Sequence, residues 1–259
     1  MEQGQHLEKE KKENSERSFI YGIRPVMEAI ASGKEIEMLL IQKNLIGSSL
    51  LELKEKAREN EVVMQVVPIE KLNRVTRKVH QGVVAFISPV SYERLDYLLP
   101  GLFERGLNPL VILLDRVTDV RNFGAIARSA LCLGAHALVV PARGAAPASE
   151  DAVKSSAGAL LKIPVCRAAN LRDALEYMQD SGLQLIACTE SAVKTIYEAD
   201  LSGPVCIILG SEQDGISAPF LALSDLSVKV PMEGDLGSLN VSVTAGIILY
   251  ETFRQRLAG

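Results

Sequence analysis

The sequence predicts an α/β protein: a parallel sheet with helices on both faces, preceded by a small N-terminal α/β domain. Three observations predict it. Short apolar runs of strand length recur through the chain, as in Leu110-Val-Ile-Leu-Leu114 and Val205-Cys-Ile-Ile-Leu209. Segments with apolar residues at helical spacing separate them. A stretch rich in proline and glycine, residues 90–108 followed by Pro109, divides the pattern into a shorter and a longer part.

Residues 1–17 carry five acidic and four basic side chains with only Met1 and Leu7 apolar, which predicts a solvated tail rather than a signal peptide. Residues 24–32 read as a helix, 36–41 as a strand and 48–60 as a helix with Leu50, Leu51, Leu53 and Ala57 at helical spacing. A strand over 61–67, a short helix opened by Pro68 and Ile69, and a strand over 82–88 stopped by Pro89 complete a domain spanning 18–89. Residues 90–108 read as a linker around a short helix. The second domain, 109–259, alternates in order: strand 110–114, helix 122–133, strand 137–140, helix 170–180, strand 184–187, strand 205–209, strand 227–230 and a C-terminal helix over 240–256. Such alternation is the signature of a parallel sheet.

Composition narrows the class of function. The chain has 259 residues, 47% hydrophobic and 23% charged, a globular balance with room for two cores. No apolar run approaches the roughly 20 residues that cross a bilayer, so a soluble cytoplasmic protein is expected. Cys132, Cys166, Cys188 and Cys206 form no C-x-x-C pair and the three histidines are scattered, so no metal site is expected, and the thiols read as buried and reduced. A net charge of −4 supplies no general attraction for nucleic acid, which leaves any such affinity to a local basic patch.

In an open parallel sheet, ligands bind beyond the carboxyl ends of the strands. Three loops there are unusual. The first is Asp115-Arg-Val-Thr-Asp119-Val-Arg-Asn122-Phe-Gly124-Ala-Ile-Ala-Arg128-Ser-Ala130, in which Arg128 stands in a helix otherwise made of small and apolar residues and needs a partner. The second is Leu209-Gly210-Ser-Glu212-Gln-Asp-Gly215-Ile216, two glycines around two acids. The third is Val230-Pro-Met232-Glu-Gly-Asp-Leu-Gly-Ser238-Leu239-Asn240-Val-Ser242. Taken singly, each has a bland reading: Asp119 or Asn122 capping a helix, a glycine turn, Asn240 capping the last helix. There is no triphosphate-binding G-x-x-x-x-G-K-[ST], no dinucleotide G-x-G-x-x-G after a strand and no G-x-S-x-G elbow, so kinase, GTPase, dehydrogenase and hydrolase readings lose their main support.

In order, the three loops resemble the three motifs of the SpoU (TrmH) family of RNA 2'-O-ribose methyltransferases, within the SPOUT superfamily. Ser238-Leu-Asn-Val-Ser-Val243 is the most diagnostic string, and Tyr21-Gly-Ile-Arg-Pro-Val-Met-Glu-Ala-Ile30 with His80-Gln-Gly-Val-Val-Ala85 is similar to the substrate-binding domain of the RlmB-like branch, so nearly the whole chain is covered. One departure is Val120, where many relatives have proline after the aspartate, which opens the path of that loop to question.

The resemblance implies a C-terminal trefoil knot, S-adenosylmethionine as cofactor, a guanosine in the peptidyl-transferase loop of 23S rRNA as substrate, and a homodimer that completes the active site. It places the cofactor against main chain around Gly210, Val230 and Leu239, with Leu209 and Met232 beside them. Arg128 is the family arginine that activates the ribose hydroxyl. Asn122 would orient the ribose or Arg128, Glu212 would hold Arg128 or the cofactor, and Ser238 and Asn240 would shape the pocket. Val243, Ile247, Ile248 and Leu249 on the C-terminal helix read either as a dimer surface or as core. From the residues themselves, Lys71, Arg74, Arg77, Lys78 and His80 form a basic cluster suited to RNA, or a solvated helix face, and Tyr21 or Phe123 could stack on a base. An inactive RNA-binding assembly factor and a methyltransferase acting on tRNA or another rRNA site are the alternatives.

Overall fold

The computed structural model describes residues 18–234 and 237–258; the expected tail lies outside them. The described residues form two compact units, one running through Val90 together with Ala148–Glu150, the other comprising Ser91–Pro147 and Asp151 onward.

In the first unit, strands β1 (Phe19–Tyr21), β2 (Ile36–Gln42), β3 (Met64–Val67) and β4 (Val83–Ile87) form a sheet in the order β1-β4-β2-β3. Only β2 and β3 run parallel. Helices α1 (Ile23–Ala31) and α2 (Ser48–Glu59) bury Val26, Ala29, Ile30, Leu50, Leu53 and Ala57 against Leu39, Ile41, Val83 and Ala85 on one face of the sheet. These residues recur at three, four and seven positions, the spacing of a single helix face. On the opposite face, Leu72 of α3 (Ile69–Val75) packs with Leu40, Val67, Val84 and Phe86. Both faces are therefore covered, which is why β2 and β4 read as near-continuous apolar runs. The three-residue β1 was not predicted, because a strand that short shows no period.

The second unit holds an eight-stranded sheet. Its strands are β5 (Tyr92–Glu93), β6 (Leu110–Leu114), β7 (Ala137–Pro141), β8 (Val165–Ala168), β9 (Gln184–Cys188), β10 (Lys194–Thr195), β11 (Val205–Leu209) and β12 (Leu226–Lys229), in the order β10-β12-β9-β11-β6-β7-β8-β5, and every pair is parallel. β6, β11 and β9 are central and, but for Gln184 at the start of β9, made of apolar residues on both faces. Helices α4 (Leu95–Glu104) and α7 (Leu171–Asp180) cover one face through Leu99, Leu102, Leu171, Leu175 and Met178. α5 (Val120–Cys132) packs against the C-terminal helix, and the short α6 (Glu150–Ser155) and α8 (Ala218–Leu223) complete the set; the C-terminal helix is α9 (Val241–Ala258).

Residues 91–108 depart from the expected linker. β5 extends the sheet beside β8, and α4 buries Leu99 and Leu102 in the larger core. The short helix expected there is α4, but Pro100 and Gly101 inside it weaken its period, so the stretch reads as a connection rather than as part of the domain. The cysteines divide as well. Cys166, Cys188 and Cys206 are buried, and burial pushes the Cys166 and Cys188 thiols up to about 12, while Cys132 is exposed, contrary to the expectation of four buried thiols. Among the described residues, no helix is long and apolar enough to cross a membrane.

Candidate active site

Strand β6 ends at Leu114, and the chain turns sharply through Asp115 and Arg116, whose φ of 58° lies in the left-handed region. Asp115 is buried. Its carboxylate accepts hydrogen bonds from the backbone N–H and hydroxyl of Ser217, both at 2.7 Å, and from the guanidinium of Arg116. Arg116 also reaches Asp214 Oδ2 at 3.4 Å and donates to the Gly215 carbonyl at 3.1 Å. The Asp115 carboxylate holds the Arg116 guanidinium firmly in its charged form. Together the two residues clamp the loop that follows β11.

That loop, Ser211 to Gly215, is a tight turn closed by reciprocal backbone bonds between Ser211 and Gly215 at 3.1 and 3.0 Å. Gly215 takes a φ of 65°. A Cβ on Gly210 would lie 2.1 Å from the carbonyl carbon of Gly215, so the turn can fold back on itself only over a glycine. Glu212 is carried at its tip.

Helix α5 starts at Val120 because Asp119 caps it, accepting from the N–H groups of Arg121 at 2.7 Å and Asn122 at 3.1 Å. Valine at position 120 leaves this start intact, since the first helical position does not require proline. The hydrogen bond from the Arg121 side chain, with the backbone cap bonds, holds the Asp119 carboxyl below the usual carboxylate range. Further along α5, Gly124 meets Ser155, where a Cβ would approach to 2.6 Å.

Asn122, Glu212 and Asn240, drawn from the three unusual loops, converge. Asn122 Nδ2 donates to Glu212 Oε1 at 2.8 Å, Asn240 Nδ2 donates to Asn122 Oδ1 at 3.2 Å, and Asn240 Nδ2 also donates to Glu212 Oε1. Asn240 Oδ1 accepts from the Ser242 N–H at 2.9 Å and its hydroxyl at 2.6 Å. The helix-cap reading of Asn240 and the site reading are therefore both met by one side chain, because its two ends serve different partners.

Beside this cluster lies a cavity of about 420 Å³ over the carboxyl ends of β9, β11 and β12. Leu209, Gly210, Glu212, Val230, Met232, Ser238 and Leu239, all candidate site residues from the sequence, line it with Ser211 and Asp214 of the same second loop and with Thr189, Glu190 and Thr244, which the sequence does not mark. The loop after β9 carries no glycine pair to mark it in the sequence, although it lies where sites gather, at a carboxyl strand end. Among the described residues, no group of histidine, cysteine or acidic side chains could hold a metal.

Arg128 is placed elsewhere. It stands six residues beyond Asn122, about 240° around the helix, and is exposed, its side chain without a hydrogen bond or ion pair among the described residues. Within one chain, Glu212 holds the two asparagines and not Arg128. On α9, Ile248 and Leu249 are fully buried and belong to the core, whereas Val243 is exposed and continues with Tyr250, Phe253 and Leu257 along the outer side, Tyr250 at 61% exposure. Phe123, offered as a base-stacking residue, is instead a core residue.

In the first unit, Lys71, Arg74, Arg77 and Lys78 lie on the surface, and Lys78 Nζ sits 5.9 Å from the centre of the Tyr21 ring. His80 does not join them. It is 7% exposed, its Nδ1 accepts from the Gly82 N–H at 3.0 Å, and its Nε2 lies 2.9 Å from Asn73 Oδ1. Its two ring nitrogens fix the turn into β4. Gln81 Oε1 accepts from the Ile23 N–H at 3.3 Å, so the two segments that carried the resemblance in this unit meet in space.

The profile of the SpoU rRNA Methylase family matches residues 109–250, and that of the RNA 2'-O ribose methyltransferase substrate binding domain matches residues 19–93. A Bacillus subtilis chain named as a putative TrmH family tRNA/rRNA methyltransferase, YacO, is 32% identical over 243 residues, covering 94% of this chain and 98% of that one. The crystal structure of the SpoU methyltransferase AviRb from Streptomyces viridochromogenes, in complex with AdoMet, aligns at 28% identity with a TM-score of 0.59, covering 95% of this chain and 92% of that one. The TrmH/SpoU tRNA modifying enzyme of A. aeolicus aligns at 29% identity with a TM-score of 0.54, over 63% of this chain and 85% of that one.

Proposed function

The chain belongs to the SpoU rRNA methylase family, and from that premise we propose that it is a cytoplasmic homodimer that methylates the ribose 2'-hydroxyl of a guanosine in the peptidyl-transferase loop of 23S rRNA, using S-adenosylmethionine. The observation that carries the reading is the Asn122–Glu212–Asn240 cluster at the rim of a cavity beneath which Gly210 leaves room for main chain alone.

The cavity suits the cofactor. Its volume falls within the roughly 300 to 1,000 Å³ of small-molecule sites. Leu209, Val230, Met232 and Leu239 offer an apolar wall for the adenine, and Thr189, Ser211 and Glu212 offer polar groups for the ribose and amino-acid ends. When bound, S-adenosylmethionine supplies an electrophilic methyl group on a sulfonium. The protein must then align the acceptor oxygen and stabilise the charge that builds on it. Asn122 and Asn240, fixed by Glu212 and by one another, are positioned to orient the ribose.

Arg128 is the group for the developing alkoxide. Its guanidinium acts as a permanent cation rather than as a base, and the proton leaves to phosphate or water. Because Arg128 faces away from its own Asn122 cluster, it serves the cluster of a second copy, with the outer apolar residues of α9 as the surface that brings the copies together. The match of the first unit to an RNA substrate-binding domain, together with the cluster Lys71, Arg74, Arg77 and Lys78, supports RNA capture there.

The test is to incubate the purified protein with tritiated S-adenosylmethionine and separate pools of 23S rRNA transcript, ribosomal precursor particles and tRNA, then map any label. One labelled guanosine ribose in the peptidyl-transferase loop is the expected result. Label confined to tRNA, or to another rRNA position, overturns the target while keeping the reaction.

A further inference from the structure

Three acidic residues line the cavity, Glu190, Glu212 and Asp214, and no lysine, arginine or histidine is among the described residues that line it. They are not equivalent. Asp214 lies 3.4 Å from Arg116. Glu212 accepts from the amides of Asn122 and Asn240 and lies in the field of Arg121. Glu190, just past the end of β9, makes no ion pair among the described residues, and its carboxylate accepts a long hydrogen bond from the Thr189 hydroxyl at 3.5 Å. Its charge is felt at the cavity wall, where it adds to burial in pushing the Cys188 thiol up.

Resting on the reading of this cavity as the cofactor site, we propose that Glu190 makes the cavity selective for charge, favouring the sulfonium of S-adenosylmethionine over the neutral thioether of S-adenosylhomocysteine. The two ligands share the adenosine, the ammonium and the carboxylate. They differ by one methyl group and one positive charge. When the ribose oxygen takes the methyl carbon, the S–C bonding pair stays on sulfur and the hydroxyl proton leaves to solvent, so the spent cofactor has given up its cation. A carboxylate that nothing neutralises then attracts the fresh cofactor and has no hold on the used one. One such charge pair in a water-accessible cavity changes affinity on the order of fivefold. Glu190 is thus a specificity residue that clears product from the site, separate from the residues that orient the ribose.

The experiment is titration calorimetry on the full chain with three ligands: S-adenosylmethionine, S-adenosylhomocysteine and sinefungin, which carries an ammonium in place of the sulfonium and transfers nothing. Glu190→Gln is expected to weaken S-adenosylmethionine and sinefungin about fivefold and leave S-adenosylhomocysteine unchanged, and raising salt in the native protein is expected to narrow the same gap. Glu190→Asp, which keeps the charge, is expected to retain the preference and guards against a folding defect. An equal loss for all three ligands, or a preference that Glu190→Gln leaves within twofold of the native value, overturns the proposal. Failure of the native protein to bind any of the three overturns the cofactor reading itself, a distinguishable result.

Discussion

At the scale of single residues, the site rests on polar groups that each answer to two partners. Glu212 joins both asparagines, so Glu212→Ala leaves two amides without their acceptor at an exposed position. Turnover is expected to fall about 10² to 10³-fold with little change in melting temperature, because exposed hydrogen bonds contribute roughly 1 kcal/mol or less to stability while the positioning they impose acts on the barrier. Arg128→Ala is expected to cost at least as much turnover while calorimetry shows cofactor affinity unchanged; normal turnover removes Arg128 from the mechanism. Which residues would gather was legible in the sequence because polar side chains at strand ends have few structural reasons to be there. Which would touch was not. A string of letters cannot tell that Glu212 meets Asn122 rather than Arg128, since that depends on the turn forced by Gly210 and Gly215. His80 shows the converse: its basic neighbours suggested RNA, yet its ring serves a turn.

Elements set the reach of those residues. Asp119 starts α5 and thereby places Asn122 three residues on. Asp119→Ala is expected to lower stability by about 1 kcal/mol. Because the folded protein holds this carboxyl below its unfolded value, its contribution is present above about pH 4, the unfolded range, and is lost as acid protonates the folded group. The melting difference between native protein and Asp119→Ala should accordingly shrink as the pH falls below about 4, and a difference that stays constant argues against the cap. Gly210→Ala is expected to cost about 1–3 kcal/mol from overpacking against Gly215 and to abolish cofactor binding. Most elements were readable from period and punctuation. α4 shows only as a short helix within an apparent linker, because Pro100 and Gly101 imitate a connection, and β1, β5, β8, β10, α6 and α8 are too short to show a pattern.

On the scale of the whole molecule, the chain carries a net charge of −4 yet is expected to seek a polyanion, so its RNA affinity must be local. Replacing Lys71, Arg74, Arg77 and Lys78 together by alanine is expected to raise the KM for RNA by an order of magnitude or more and to leave kcat at saturating RNA near its native value. The logarithmic dependence of binding on salt should flatten by roughly 0.7 to 0.9 for each phosphate that the altered surface no longer neutralises. An unchanged salt dependence excludes this face. The outward placement of Arg128 has one further consequence. If each cluster borrows its arginine from another copy, neither the Arg128→Ala nor the Glu212→Ala protein should turn over alone, whereas a mixture should regain activity in those pairs that hold one intact cluster and one intact arginine. Activity then belongs to the pair, so specific activity should fall on dilution even though every molecule stays folded, and a cell that makes too little of this protein would lose modification more steeply than it loses protein.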